Sequence, residues 1–118
     1  MSVTVGLESY RLEAAHGAND WEREKEQIFV VSIWATVVDE PRGQDLDTTV
    51  DYGLLQEWID EAFLNMPAAH LLEELAARLV DLAAVDSRIS SLKVRIEKPE
   101  APLPHPGGLA VVEKLWQR

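Results

Sequence analysis

The run Ile28–Val38 is almost wholly apolar and rich in β-branched residues, broken only by Ser32 and Thr36. Such a run needs cover on both faces, as in a central strand or a barrel wall. Val3–Ala14 predicts a second strand that changes phase. Val3, Val5 and Leu7 share one face, whereas Tyr10, Leu12 and Ala14 agree with each other but not with the first three. The slip falls at Glu8-Ser9 and predicts a bulge or bend there. Leu92–Lys98 alternates cleanly, with Leu92, Val94 and Ile96 opposite Lys93, Arg95 and Glu97. A last strand is expected from Leu109 to about Trp116.

Between these lie two helical patterns. Leu54, Leu55, Trp58, Ile59, Ala62 and Phe63 recur at helical spacing, with Asn65-Met66-Pro67 as the stop. A second helix begins near His70, with Leu72, Leu75, Ala76, Leu79 and Ala83 as its stripe and Glu74–Arg78 as an i,i+4 pair. Turn-like segments are His16–Asp20, Glu40–Gln44 and Pro99–Gly108, and Trp21–Gln27 reads as a charged connection. The order β-β-α-α-β-β predicts an α+β fold, an antiparallel sheet with two helices on one face. Residues 1–118 form one domain on this reading. Four strands leave two apolar edges, and sheet continuation between subunits into an oligomeric barrel would satisfy them.

Composition excludes several classes. The formal charge is −10, with 11 basic residues against 21 acidic ones, which disfavours a nucleic-acid partner. No window approaches the roughly 18 uninterrupted apolar residues of a membrane span. Met1–Thr4 lacks the basic start of a signal peptide, so a cytoplasmic location is the expectation. There is no cysteine, hence no disulfide, thiolate nucleophile or Cys-type zinc site. His16, His70 and His105 are far apart and form no H-x-H or H-E-x-x-H pair, so no metal is expected.

One further step of the alternation places Lys98 on the apolar side of its strand, just before Pro99. A lysine there either packs its stem and snorkels its ammonium to water or holds a partly desolvated amine suited to proton transfer. Spacing alone favours the first. Glu73 falls at a helix start, where the macrodipole favours a carboxylate of any purpose. Tyr52 enters the first helix as an amphipathic packing residue would. Glu22 sits in a charged run, ordinarily a solvated face.

Together these residues carry more. His16-Gly17-Ala18 with Glu22 and Gln27 downstream, Asp45-Leu46 before Thr49-Val50-Asp51-Tyr52, Leu71-Leu72-Glu73 before Leu75-Ala76, and Lys98-Pro99 leading into Ala101-Pro102 occur in order. Over nearly the whole chain this resembles the dihydroneopterin aldolase family, whose members have the tunnelling fold of pterin- and purine-handling enzymes. Ala69 stands where the family usually has a bulkier apolar residue, which predicts looser packing at the helix start.

The resemblance implies retro-aldol cleavage of 7,8-dihydroneopterin to glycolaldehyde and 6-hydroxymethyl-7,8-dihydropterin in folate biosynthesis. Because the pterin ring is the electron sink, the family needs neither a metal nor a Schiff-base lysine, and no cofactor is implied. By resemblance, Glu73 and the Leu72 backbone hold the pterin, Glu22 binds the hydroxylated side chain, and Lys98 moves protons with help from Tyr52. The family's site lies between subunits of a ring, with Tyr52 arriving from the adjacent chain of a tetramer or octamer. The alternatives are a 2′-epimerase of dihydroneopterin or its triphosphate, and a non-catalytic ring-forming interaction protein.

Overall fold

The computed structural model describes residues 2–39 and 42–118, so Met1 and, in the expected Glu40–Gln44 loop, Glu40 and Pro41 lie outside the described residues. The order is β1 (Val3–Ala14), β2 (Gln27–Val37), α1 (Tyr52–Leu64), α2 (Leu72–Ala84), β3 (Ile89–Lys98) and β4 (Ala110–Gln117), with 3-10 turns at Asp20–Arg23 and Leu46–Thr48. One sheet runs β1-β2-β3-β4, and every neighbouring pair is antiparallel. The expected α+β architecture is present, with the two helices on one face.

β2 lies inside the sheet because its sequence tolerates cover on both sides. Phe29, Val31, Ile33 and Ala35 are fully buried in the cluster shared with α1 and α2. On the opposite face, Trp34 is sheltered by neighbouring strands: Lys93 Nζ stands 5.6 Å from its ring centroid, and its Nε1–H donates to Glu8 at 3.1 Å. Gly6 is opposite it in the ladder, and a Cβ there would meet Trp34 Cδ1 at 2.5 Å. The glycine leaves room for the indole to lie flat across β1. Arg95 and Glu113 pair across β3 and β4 on this same polar face, at 2.7 Å.

The phase change in β1 is a bulge between Leu7 and Tyr10. Ser9 takes φ 56° there, and its N–H donates to the Ser32 hydroxyl at 2.8 Å. An extra residue in one strand re-aims all that follow. Leu12 and Ala14 are thereby buried with the core reached by the first half of the strand.

Asp51 caps α1 by accepting from Gly53 N–H at 2.9 Å. Leu55, Trp58, Ile59, Ala62 and Phe63 are buried on α1, and Leu75, Ala76, Leu79, Val80 and Ala83 on α2. The expected Glu74–Arg78 pair does not form. Arg78 instead donates to the carbonyls of Ala62 at 2.9 Å and Pro67 at 2.7 Å, while Glu74 accepts from His70 N–H at 3.3 Å. Carbonyls in the last turn of α1 and in the connection after it outcompete a solvated carboxylate for the guanidinium.

Candidate active site

The end of β3, the start of α2 and the linker after β1 meet at one end of the sheet. Lys98 is the last residue of β3 and keeps the phase of Leu92, Val94 and Ile96, so its stem is carried into the core side. It does not snorkel: Lys98 is only 8% exposed, and its ammonium lies 2.5 Å from Glu22 Oε2. Its partner corrects a second expectation. Glu22, in a run of charge that reads as solvated, is 1% exposed.

A carboxylate is buried at such a position only when its lone pairs are filled. Glu22 accepts from Lys98, from Asn19 Nδ2 at 2.8 Å and more weakly from Asn19 N–H at 3.3 Å and Gln27 Nε2 at 3.4 Å. Burial by itself pushes the Glu22 carboxyl up, but the bonds from Lys98, Asn19 and Gln27 outweigh it and hold the group below the ordinary carboxyl range. Gly17 makes room for it, since a Cβ at Gly17 would stand 2.5 Å from Glu22 Cδ. Gln27 also donates to the His16 carbonyl at 3.4 Å, and its Oε1 is buried without a hydrogen-bond partner.

His16 closes the arrangement from behind, 3% exposed and edge-on to Phe29 and Phe63 at centroid distances of 5.7 Å. Ala69 N–H donates to its Nδ1 at 2.9 Å, so the proton sits on Nε2, which donates to the Phe63 carbonyl at 2.8 Å. Gly17 N–H donates back to the Ala69 carbonyl at 2.9 Å. Ala69 is therefore fully buried and bonded on both sides, which corrects the expectation of loose packing at the helix start.

An open cavity of about 300 Å³ lies in front of Glu22 and Lys98, with Leu71, Leu72 and Glu73 forming one wall and Pro102 part of another. Glu73 is exposed in the first turn of α2, next to half-buried Leu72. Four of the expected residues thus share one cavity. Tyr52 does not join them. It is 67% exposed, so it is not the packing residue its spacing also allowed, and it begins α1 whereas Phe63, beside His16, is near that helix's end. At about 1.5 Å per residue the helix separates the two by roughly 16 Å. Among the described residues no group of three or more His, Asp or Glu side chains could hold a metal ion.

The FolB family model, described as dihydroneopterin aldolase, matches residues 5–113. The chain belongs to the dihydroneopterin aldolase family. A dihydroneopterin aldolase of Streptomyces coelicolor is 30% identical over 104 residues, covering 86% of this chain and 87% of that protein. The fold of this aldolase is similar to that of a dihydroneopterin aldolase from Burkholderia thailendensis bound to guanine (TM-score 0.82, 20% identity, 99% of this chain and 92% of that one). It is also similar to E. coli dihydroneopterin aldolase in complex with neopterin (TM-score 0.76, 20% identity, 95% and 98% of the two chains).

Asn19, which lines the cavity and donates to Glu22, is a residue that sequence reasoning missed. The signal was present, because Asn19-x-x-Glu22 has the spacing of a capping box. Chemically, the site offers a carboxylate acceptor at the wall in Glu73 and an ion pair at the floor. The Lys98 ammonium has three donors, of which Glu22 takes one.

Proposed function

We propose that this chain, acting as one domain, cleaves the side chain of 7,8-dihydroneopterin in a metal-independent retro-aldol reaction. The buried Lys98–Glu22 pair, opening onto a cavity whose facing wall presents Leu72 and Glu73, is the observation that carries this reading. Glu73 accepts from the pterin's 2-amino and ring N–H groups, the donors that suit a carboxylate. The Leu72 backbone meets the ring edge, and Glu22 accepts from the side-chain hydroxyls.

The reaction needs the 2′-hydroxyl proton removed and a proton returned to C1′. Loss of the 2′-hydroxyl proton makes the C2′=O bond as C1′–C2′ breaks, and glycolaldehyde leaves. The electron pair enters the conjugated C=N of the ring, and protonation of C1′ then gives 6-hydroxymethyl-7,8-dihydropterin. Lys98, with donors free beyond its bond to Glu22, moves these protons directly or through a water. Tyr52 assists at the protonation step.

Tyr52 reaches that step from a neighbouring copy of the chain. Its exposure, and its place at the opposite end of α1 from Phe63, support this, as do the sheet edges formed by β1 and β4. Joining those edges between copies makes a ring, a tetramer or a stacked octamer, with a site at each junction. No helix among the described residues is long and apolar enough to cross a membrane, and we place the ring in the cytoplasm.

Incubating the purified protein with 7,8-dihydroneopterin tests the reading. Equimolar glycolaldehyde and hydroxymethyl-dihydropterin are expected. Substrate inverted at C2′ without glycolaldehyde would make the chain an epimerase, which shares the first bond-breaking step. No turnover would leave a ring-forming interaction protein.

A further inference from the structure

His16 does not line the cavity, yet it bonds to the elements that frame it. Its ring links the end of β1 to the Phe63 carbonyl of α1 and to the Ala69 amide of the α1–α2 connection. Ala69 is gripped a second time by Gly17 N–H, and three residues later α2 begins with Leu72 and Glu73. The N-cap residue, Leu71, makes no side-chain bond to the helix start, and the side-chain bond found there is a long one, from His70 N–H to Glu74 at 3.3 Å. From the other side of the same segment, Gly17 packs on Glu22 and the His16 carbonyl accepts from Gln27. One two-residue unit therefore touches both the wall that carries Glu73 and the floor that carries Glu22.

We propose that His16 is a positioning residue, setting the Leu71–Glu73 wall against the Glu22–Lys98 floor through its Nδ1 bond from Ala69, as the neutral Nε2–H tautomer. A proton added at Nδ1 would oppose Ala69 N–H, donor against donor. The charged groups around the ring are Arg78 and Glu74 on α2, Lys98 on β3, and Arg23 and Glu26 beside the linker. Burial is the main influence and pushes the imidazole down, with Arg78 and Lys98 adding to it against the Phe63 carbonyl and Glu74. The neutral form is thus the one the folded chain keeps. Through the Ala69 amide, the unit couples the ionisation of a ring outside the pocket to the placement of the ligand-binding wall.

Two substitutions separate positioning from mere packing. His16→Asn keeps an acceptor near the Nδ1 position for Ala69 N–H, whereas His16→Gln keeps only a donor near the Nε2 position. Amide hydrogen exchange at residues 69–73 is read alongside the dissociation constant for neopterin, an arm that rests on the pterin reading above. His16→Gln should speed exchange at 69–73 by about tenfold or more and weaken neopterin binding by about tenfold, as expected for loss of a buried bond. His16→Asn should stay within about threefold of the unsubstituted protein in both. Equal behaviour of the two variants would overturn the proposal. If the unsubstituted protein does not bind neopterin, the pterin reading falls and the exchange rates alone decide this one. If His16→Gln does not fold, the imidazole nitrogen resonances of the unsubstituted protein decide it: a proton on Nε2 and none on Nδ1 at neutral pH is expected, and the reverse would overturn it.

Discussion

Replacing Lys98 with methionine keeps the length of the stem and removes the ammonium that neutralises Glu22. The carboxylate is 1% exposed, and the donors left to it are one good bond from Asn19 at 2.8 Å and two long ones, at 3.3 and 3.4 Å. Breaking a buried pair from one side costs about 3–5 kcal/mol, a large share of the ~5–15 kcal/mol that holds a domain together. The cost should also change sign in its pH dependence. In the unsubstituted protein the Glu22 carboxyl lies below its ordinary value of 4.5, so its contribution is present above that pH and is lost as pH falls through the folded value. In the variant, burial is the largest influence left, the folded carboxyl moves up, and protonation relieves the penalty. Urea denaturation from pH 8 to pH 5 should therefore show a deficit that narrows toward acid. Glu22→Gln combined with Lys98→Met should recover all but about 1–2 kcal/mol, because neither partner is then a stranded charge. A pH-independent deficit below about 1 kcal/mol would refute the reasoning and mark the pair as solvent-screened.

Other outcomes follow from the same geometry. Glu73→Ala should weaken neopterin affinity by about tenfold or more while leaving the melting temperature nearly unchanged, because Glu73 is exposed in the free chain; unaltered affinity, by calorimetry, would remove it from the site. Gly17→Ala drives a Cβ to within 2.6 Å of Glu22 Oε2 and should cost about 1–3 kcal/mol in stability and reduce turnover; a thermal melt and an activity assay matching the unsubstituted protein would contradict the packing described. The folded pKa of His16 is below its ordinary 6.5, mainly through burial, so its stabilising contribution is complete above about pH 6.5 and is lost as pH falls below it. Stability should accordingly rise with pH across that window, and the His16→Asn variant should lack this slope.

Periodicity carried the sheet. The slip at Glu8-Ser9 was visible as two sets of alternating residues out of phase, and a single bulge accounts for it. The end of α1 was marked by Asn65-Met66-Pro67, and Lys98 was legible as a lysine in phase with the core. Glu22 was not, because the group that makes its burial tolerable stands 76 residues away in the chain and local composition carries no record of it. Arg78 was misread for a related reason: spacing names the nearest opposite charge, whereas the carbonyls of Ala62 and Pro67 come near it only once the two helices are packed. The exposure of Tyr52 had no local signal either. Its spacing suits a packing residue, and what it would face lies outside its own chain on the reading proposed here.

The central claim is that one retro-aldol site is built from two chains, with Lys98 and Glu22 from one and Tyr52 from the next. Subunit mixing tests it most directly. Lys98→Ala and Tyr52→Phe are each expected to be inactive alone, and no chain in their mixture has both residues intact. After dissociation and random reassembly at equal amounts, about a quarter of the junctions would pair an intact Lys98 with an intact Tyr52. Formation of 6-hydroxymethyl-7,8-dihydropterin, the product that needs both residues, at about a quarter of the unsubstituted rate is the predicted result; a mixture as inactive as its two components would contradict a site shared between chains.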